Sequence, residues 1–327
     1  MVERSSTRYG VIAAVASTLL LWASAFVTIR YVGHQLSPGA LALGRLLVGS
    51  VALGAVMLAR SEPLPPRRAL PLIALCGLLW FGIYNLALNA AQQRIDAGTT
   101  ALLVNTAPIF IAVLAGLLLG EGFPRNLLTG CAVAFGGVAA IALGVSGHGI
   151  SATWGAALCL LAALAYAGGV VAQKPALRHC SALGVTWLAC AVGALACLPF
   201  AGDLYSEAVS ARASTVAWTV YLGLGPTAAG FLGWAYALAR TDAGRLGSST
   251  YLVPPLVVLM GWIVLGETPP ALALPGGVLC LFGVTLARRR APLRWGAGRR
   301  ADASGGTVQP PDALQGPLVA LRDRRSK

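Results

Sequence analysis

Arg94-Ile95-Asp96-Ala97-Gly98 opens an apolar run that carries Pro108 and closes on Leu119-Gly120-Glu121. Arg240-Thr241-Asp242-Ala243-Gly244 opens a second run, with Pro254 inside it and Leu265-Gly266-Glu267 at its end. Each landmark of the second run lies 146 positions after its counterpart, and Gly130/Gly276 and Gly137/Gly283 keep the same offset. Arg, Asp, Pro and Glu are scarce in this chain, so composition alone explains the match poorly. A fixed-offset echo is the mark of internal duplication. If each copy crosses a membrane an odd number of times, the copies insert in opposite senses, as in many secondary transporters.

The rest of the chain supports a membrane reading. It is 57% hydrophobic and 11% charged, against about 25% charged residues in a soluble domain. Crossing the hydrocarbon core takes about 20 apolar residues. On that measure the chain offers ten spans: 9–29, 40–59, 69–91, 97–119, 127–145, 152–172, 183–200, 216–238, 243–265 and 271–287. The expected fold is an all-α integral membrane protein of ten transmembrane helices, built as two inverted five-helix repeats over residues 1–145 and 146–290. Residues 291–327, rich in Pro, Gly, Arg and Asp, read as a disordered basic cytoplasmic tail. Ala23-Ser24-Ala25 resembles a signal-peptidase site, but the apolar run continues to Ile29, so the segment reads as the first span.

The net charge of +13 is not a nucleic-acid signature. Ten of the 24 basic residues follow Ala287, and most of the others fall in short loops. With the N-terminus inside, twenty basic residues lie on the cytoplasmic side and three (Arg30, Arg94, Arg212) outside. That asymmetry places both termini in the cytoplasm. The seven cysteines are scattered, without CxxC or a Cys/His cluster, and read as small packing residues.

No acidic residue falls mid-span, and His34, His148 and His179 lie in loops. Hydrolysis or metal chemistry needs paired carboxylates, clustered histidines or a nucleophile with its base. The sequence supplies none of these sets, so no enzyme, metal or cofactor is expected. It also lacks a mid-span carboxylate or histidine to act as an obligatory proton carrier.

The pattern resembles the drug/metabolite transporter superfamily, and within it a pair of EamA-type domains. The resemblance rests on Trp22-Ala23-Ser24-Ala25-Phe26, on Arg45 in span 2, and on the repeated Ala-Gly…Pro…Leu-Gly-Glu spacing. It implies a bacterial inner-membrane carrier, often an exporter of amino acids and other small metabolites, with a cavity lined by spans 1, 3, 4, 6, 8 and 9.

Candidate site residues follow from polar groups in apolar runs. Pro108 and Pro254 interrupt equivalent spans and would free the carbonyls of Val104 and Thr250. They are tolerated packing kinks or, as paired interruptions often are in transporters, the substrate site. Beside them stand Asn105 and Tyr251. Asn85 and Asn89 share a helix face and act as interhelical glue or cavity lining. Trp22, Tyr166 and Trp234 lie well inside their spans and are candidate cavity aromatics. The pocket would thus offer neutral donors and acceptors without a fixed charge. Arg45, the one intramembrane charge, would snorkel or be capped by carbonyls, meet an anionic substrate, or gate. Glu121 and Glu267 would gate a cavity mouth or cap the helix that follows each of them.

The expected function is secondary transport, outward, of small neutral or zwitterionic metabolites such as amino acids. The alternatives are a multidrug or cation exporter, and a non-transporting membrane interaction protein. The expected partners are a small-molecule substrate and the lipid bilayer; Gly130, Gly137, Gly276 and Gly283 allow close helix packing within the chain or in a homodimer. Reporter tags after Arg68, after His148 and at Lys327 test the topology. The first and third should report cytoplasm and the second the outside; a cytoplasmic tag after His148 would overturn the inverted arrangement.

Overall fold

A computed structural model describes residues 2–118, 125–146, 150–240, 246 and 249–288. Glu121, the Asp242-Ala243-Gly244 motif and residues 289–327 lie outside the described residues. The described chain is all-helical, with no strand among the described residues. Among the described residues, four helical stretches are long and apolar enough to cross a membrane unaided: Tyr9–Val32, Pro38–Ala59, Arg67–Gln92 and Ile150–Ala176. The first two lie within α1 (Val2–Val32) and α2 (Pro38–Ala59). The third is composite: α3 (Leu70–Cys76), a π-helical segment Gly77–Ile83, and α4 (Tyr84–Gln92). Next come α5 (Ala97–Val104), α6 (Ala107–Leu118), α7 (Arg125–Ser146) and α8 (Ile150–Ala176).

In the second half, α9 (Ala182–Ala196) bends by 56° into a further helical stretch, Leu198–Ser210, whose main part is α10 (Ala201–Ser210). The span pattern places residues 201–215 in an outer loop, and the structure gives most of that stretch a helix of its own. Tyr205 and Val209 on α10 are exposed while Glu207 accepts the Ser37 N–H at 2.7 Å. The helix thus lies against the start of α2 with an apolar side left open. Then follow α11 (Ala213–Leu222), a second π-helical segment Gly223–Gly230, α12 (Phe231–Arg240), a tight turn Thr250–Leu252, α13 (Val253–Leu265) and α14 (Ala273–Arg288).

Local chemistry sets the helix ends. Ser37 and Ser181 each accept the N–H three residues on, from Ala40 at 3.3 Å and Gly184 at 3.0 Å, and so cap α2 and α9 alike. Asp96 caps α5 by accepting the Thr99 N–H at 2.8 Å. Gly266 ends α13 at φ 68°, a left-handed conformation that costs glycine little, with its N–H on Trp262 O. That turn explains the glycine of Leu265-Gly266-Glu267: it reverses the chain and frees Glu267 to point across the helix ends.

Irregularity recurs at the same offset as the sequence. The π-helical segments begin at Gly77 and Gly223, and helices restart at Ala107 and Val253, both pairs 146 apart. The prolines stand at these restarts, in keeping with the interruptions expected from the sequence. Each span is broken, and Pro108 and Pro254 are the second residues of the restarted helices, where a missing N–H leaves nothing unpaired.

The two repeats meet through α7 and α14. A Cβ at Gly137 would lie 2.5 Å from Gly276 O and 2.6 Å from Cys280 N. A Cβ at Gly283 would lie 2.4 Å from Ala134 N and 2.6 Å from Gly130 O. Advancing Gly137, Gly130 and Ala134 by 146 gives Gly283, Gly276 and Cys280, so each contact is the other with the copies exchanged. Such reciprocal contact is the signature of a two-fold relation, and its descending register makes the two helices antiparallel. These glycines are spent inside one chain. Gly283→Val is expected to destabilise by about 1–3 kcal/mol through overpacking, read as a lower Tm of the purified protein. Gly261→Ala, which meets nothing within 4 Å, should leave Tm nearly unchanged.

Candidate functional site

Where the broken and π-helical segments converge, their side chains enclose one cavity. Its walls include Trp22, Phe26 and Ile29 of α1, Trp80 and Tyr84 from the first π-helical segment and α4, and Tyr166 of α8. Asn105, Phe231, Thr250 and Val253 complete them, with Arg45 of α2. The aromatic rings form one cluster. Trp80 stacks on Tyr166 with centroids 4.8 Å apart, and Phe231 sits edge-on to Trp80 at 4.9 Å and to Trp22 at 5.4 Å. Trp234 packs against Trp22 at 5.1 Å, behind the cavity wall. The close approach of Trp80 to α8 depends on Gly169, where a Cβ would lie 2.4 Å from the Trp80 Cβ.

The cavity holds about 40 Å³. A water molecule's share of the liquid is about 30 Å³, and small-molecule sites run to about 300–1,000 Å³. The free volume is thus too small for an organic solute unless the walls part.

Of the sequence-derived candidates, Trp22, Asn105, Tyr166 and Arg45 reach this cavity together. Asn105 follows α5 at the break in span 4, and its Nδ2 donates to Thr250 O at 3.2 Å. Thr250 O, which also accepts the Val253 N–H, is therefore bonded across the repeat interface. Asn85 and Asn89 lie on an adjoining helix face instead. Asn85 Nδ2 donates to Phe81 O at 2.7 Å, filling an acceptor of the π-helical segment; Asn89 Nδ2 donates to Pro38 O at 3.1 Å and ties α4 to α2. The side chain of Tyr251 lies outside the described residues. Sequence reading missed Trp80, Tyr84 and Phe231. The four-residue spacing of Trp80, Tyr84 and Leu88 was available as a signal, since all three face the cavity.

Arg45 corrects an expectation. It neither snorkels to the surface nor takes backbone carbonyls. Its side chain is buried at 3% exposure, and its Nε donates to Thr227 Oγ1 at 3.0 Å, in the second π-helical segment. Insertion of an arginine near a helix centre costs about 2.5–3.5 kcal/mol, and among the described residues no carboxylate pairs with it to offset that. The pocket carries a fixed positive charge after all.

Charge also closes one end of the assembly. Arg30, in the last turn of α1, donates from Nε to Glu267 Oε1 at 2.6 Å and from Nη1 to Gln92 O. Glu267 Oε2 accepts the Ala97 N–H at 3.3 Å. Glu267 thus caps α5 of the other repeat and not the helix that follows it. Four segments, the ends of α1, α4 and α13 and the start of α5, are drawn together, with Ile29 beneath them in the cavity wall.

A family model of the EamA-like transporter family matches residues 8–143 and 153–289, one copy in each half. The chain belongs to the EamA-like transporter family. It is therefore a multi-pass membrane protein of a transporter family. It is 38% identical over 291 residues to a protein of Streptantibioticus cattleyicolor named "Probable terminal-alkyne amino-acid exporter", covering 89% of this chain and 96% of that one. It is 34% identical over 264 residues to an uncharacterized transporter of Bacillus subtilis, covering 81% and 86% respectively. A solved crystal structure aligns at a TM-score of 0.61 and 20% identity, over 85% of this chain and 96% of that one, and so shares the fold.

In this EamA-type chain the asparagines and the aromatics separate by effect. Asn85→Leu should leave Phe81 O unsatisfied and cost about 1–3 kcal/mol of stability, seen as a lower Tm. Trp80→Phe should keep the fold and lower the rate of solute movement about fivefold by removing ring area from the cavity.

Proposed function

We propose that this chain is a secondary transporter that exports small zwitterionic metabolites with an apolar part, of the amino-acid kind, by alternating access. The observation that carries the reading is the aromatic cavity, which lies where broken helices of the two repeats meet. Interrupted spans at equivalent places in two repeats are where such transporters bind solute, and irregular backbone at membrane depth is tolerated only against protein or a water-filled cavity. A relative with 38% identity that carries the name of an amino-acid exporter supports the substrate class and the direction. The fixed charge of Arg45 weighs against the multidrug or cation reading, because a cationic solute would meet a like charge at low dielectric. On this reading the chain is a ten-span inner-membrane carrier with both ends in the cytoplasm, and its two halves are the inverted repeats 1–145 and 146–290.

In that topology the Arg30–Glu267 pair lies at the outer mouth and holds it shut. An exposed ion pair contributes about 0–1 kcal/mol; this one is three-quarters covered, with side-chain exposures of 21% and 23%, and is reinforced by Gln92 O and the Ala97 N–H. A contribution of about 1.4 kcal/mol would change the closed-to-open ratio about tenfold. The latch therefore sets a population and does not block the passage permanently.

Two measurements test the reading. Purified protein in liposomes loaded with labelled neutral amino acids should release them faster than empty-vector preparations; no movement of any of them would overturn the function. A cysteine at Ile29 should react with a membrane-impermeant thiol reagent added outside about tenfold faster in Glu267→Gln or Arg30→Gln than in the Ile29→Cys parent. Exchanging the charges, Arg30→Glu with Glu267→Arg, should slow it again. Equal rates in all four would remove the latch from the mechanism.

A further inference from the structure

The guanidinium of Arg45 is left incompletely matched by the protein. Its Nε has Thr227, yet no carboxylate lies within 4 Å, the Arg30–Glu267 pair being the salt bridge found among the described residues. No acceptor among the described residues takes its two terminal NH2 groups, although the side chain is 97% buried and lines the cavity. A buried cation in that state is costly, and a paired oxyanion relieves the cost. The planar guanidinium fork matches a carboxylate in two parallel hydrogen bonds.

The position is also asymmetric. The capping serines of α2 and α9, Ser37 and Ser181, are 144 apart, and that offset carries Arg45 to Ala189. The duplicated scaffold does not require a charge here, since the equivalent helix packs with a methyl group. Other cavity groups suit the remainder of an amino acid. Asn105 Oδ1 is buried without a donor and can accept from an ammonium group. Trp22 and Trp80 offer ring faces both to an apolar side chain and, by cation–π attraction, to the ammonium.

We infer that Arg45 is the carboxylate anchor of the transport site, and that this carrier requires a carboxylate on its solute. The inference rests on the transporter reading and adds a chemical demand to it. Arg45 holds the acid group, Asn105 and the ring faces take the ammonium, and the aromatic walls take the side chain.

The test uses one carbon skeleton in three forms: L-leucine, 4-methylpentanoate, which keeps the carboxylate and lacks the amine, and 3-methylbutylamine, which keeps the amine and lacks the carboxylate. Binding to the full chain in lipid nanodiscs is read from tryptophan fluorescence and from the shift in Tm, with leucine efflux from liposomes measured in parallel. For the unaltered protein, leucine and 4-methylpentanoate should bind, and the amine should bind at least about tenfold more weakly. Equal binding of the amine overturns the anchor without any variant being made. Arg45→Gln should lose at least about tenfold in affinity for both carboxylates, and Arg45→Lys should recover part of it. Thr227→Val, which keeps the charge, should retain the preference for carboxylate over amine. If leucine efflux persists while Arg45→Gln leaves carboxylate affinity unchanged, the anchor fails and the transporter stands. If the unaltered protein neither binds nor moves any of the three, both fail.

Discussion

Every backbone N–H and C=O inside an apolar assembly must find its partner within the protein, because no water is there to take its place. Regular helices meet that demand by themselves. Among the described residues, departures from regular helix include the π-helical segments at Gly77 and Gly223 and the breaks before Ala107 and Val253. At each of these four a side chain adds a hydrogen bond to the backbone. Asn85 serves Phe81 O, Thr18 donates to Gly230 O at 3.1 Å, Thr106 donates to Leu103 O at 2.7 Å, and Asn105 serves Thr250 O. Two of the four bonds, those of Thr18 and Asn105, join one repeat to the other. The irregular backbone and the repeat interface are thus held by the same polar residues.

That arrangement explains how a cavity forms in a chain so rich in small residues. Alanine and glycine let helices approach until backbones touch, as α7 and α14 do at Gly137 and Gly283. A uniformly regular bundle of such helices would leave little room at its centre. Breaks and π-helical segments move a few carbonyls and side chains out of register, and the large rings of Trp22, Trp80, Tyr166 and Phe231 fill the resulting space. Rings can be displaced from one another more readily than backbones in close contact.

Charge is used sparingly and in two different ways. At the ends of α1 and α13, Arg30 and Glu267 satisfy each other and add a helix N-terminus and a carbonyl to the set, so nothing is left over. At the centre Arg45 has a threonine hydroxyl and no carboxylate. The first arrangement is complete in itself; the second leaves a buried cation without an anionic partner among the described residues.

The sequence by itself determined the class of this protein and its duplication. Apolar runs of membrane length and a 146-residue offset are linear properties, and the need to satisfy backbone groups in an apolar medium leaves helices as the outcome. It also marked most of the polar positions that matter, because a polar residue in an apolar run stands out wherever it points. It could not say where each one points. Asn85 and Trp80 are five residues apart in one span, yet the tryptophan lines the cavity and the asparagine bonds the backbone. Nor could it pair Glu267 with Arg30 or Arg45 with Thr227, residues 237 and 182 positions apart. Those pairings come from helices of opposite repeats being packed together, and a linear pattern holds the register of each helix but not the rotation that presents one to another.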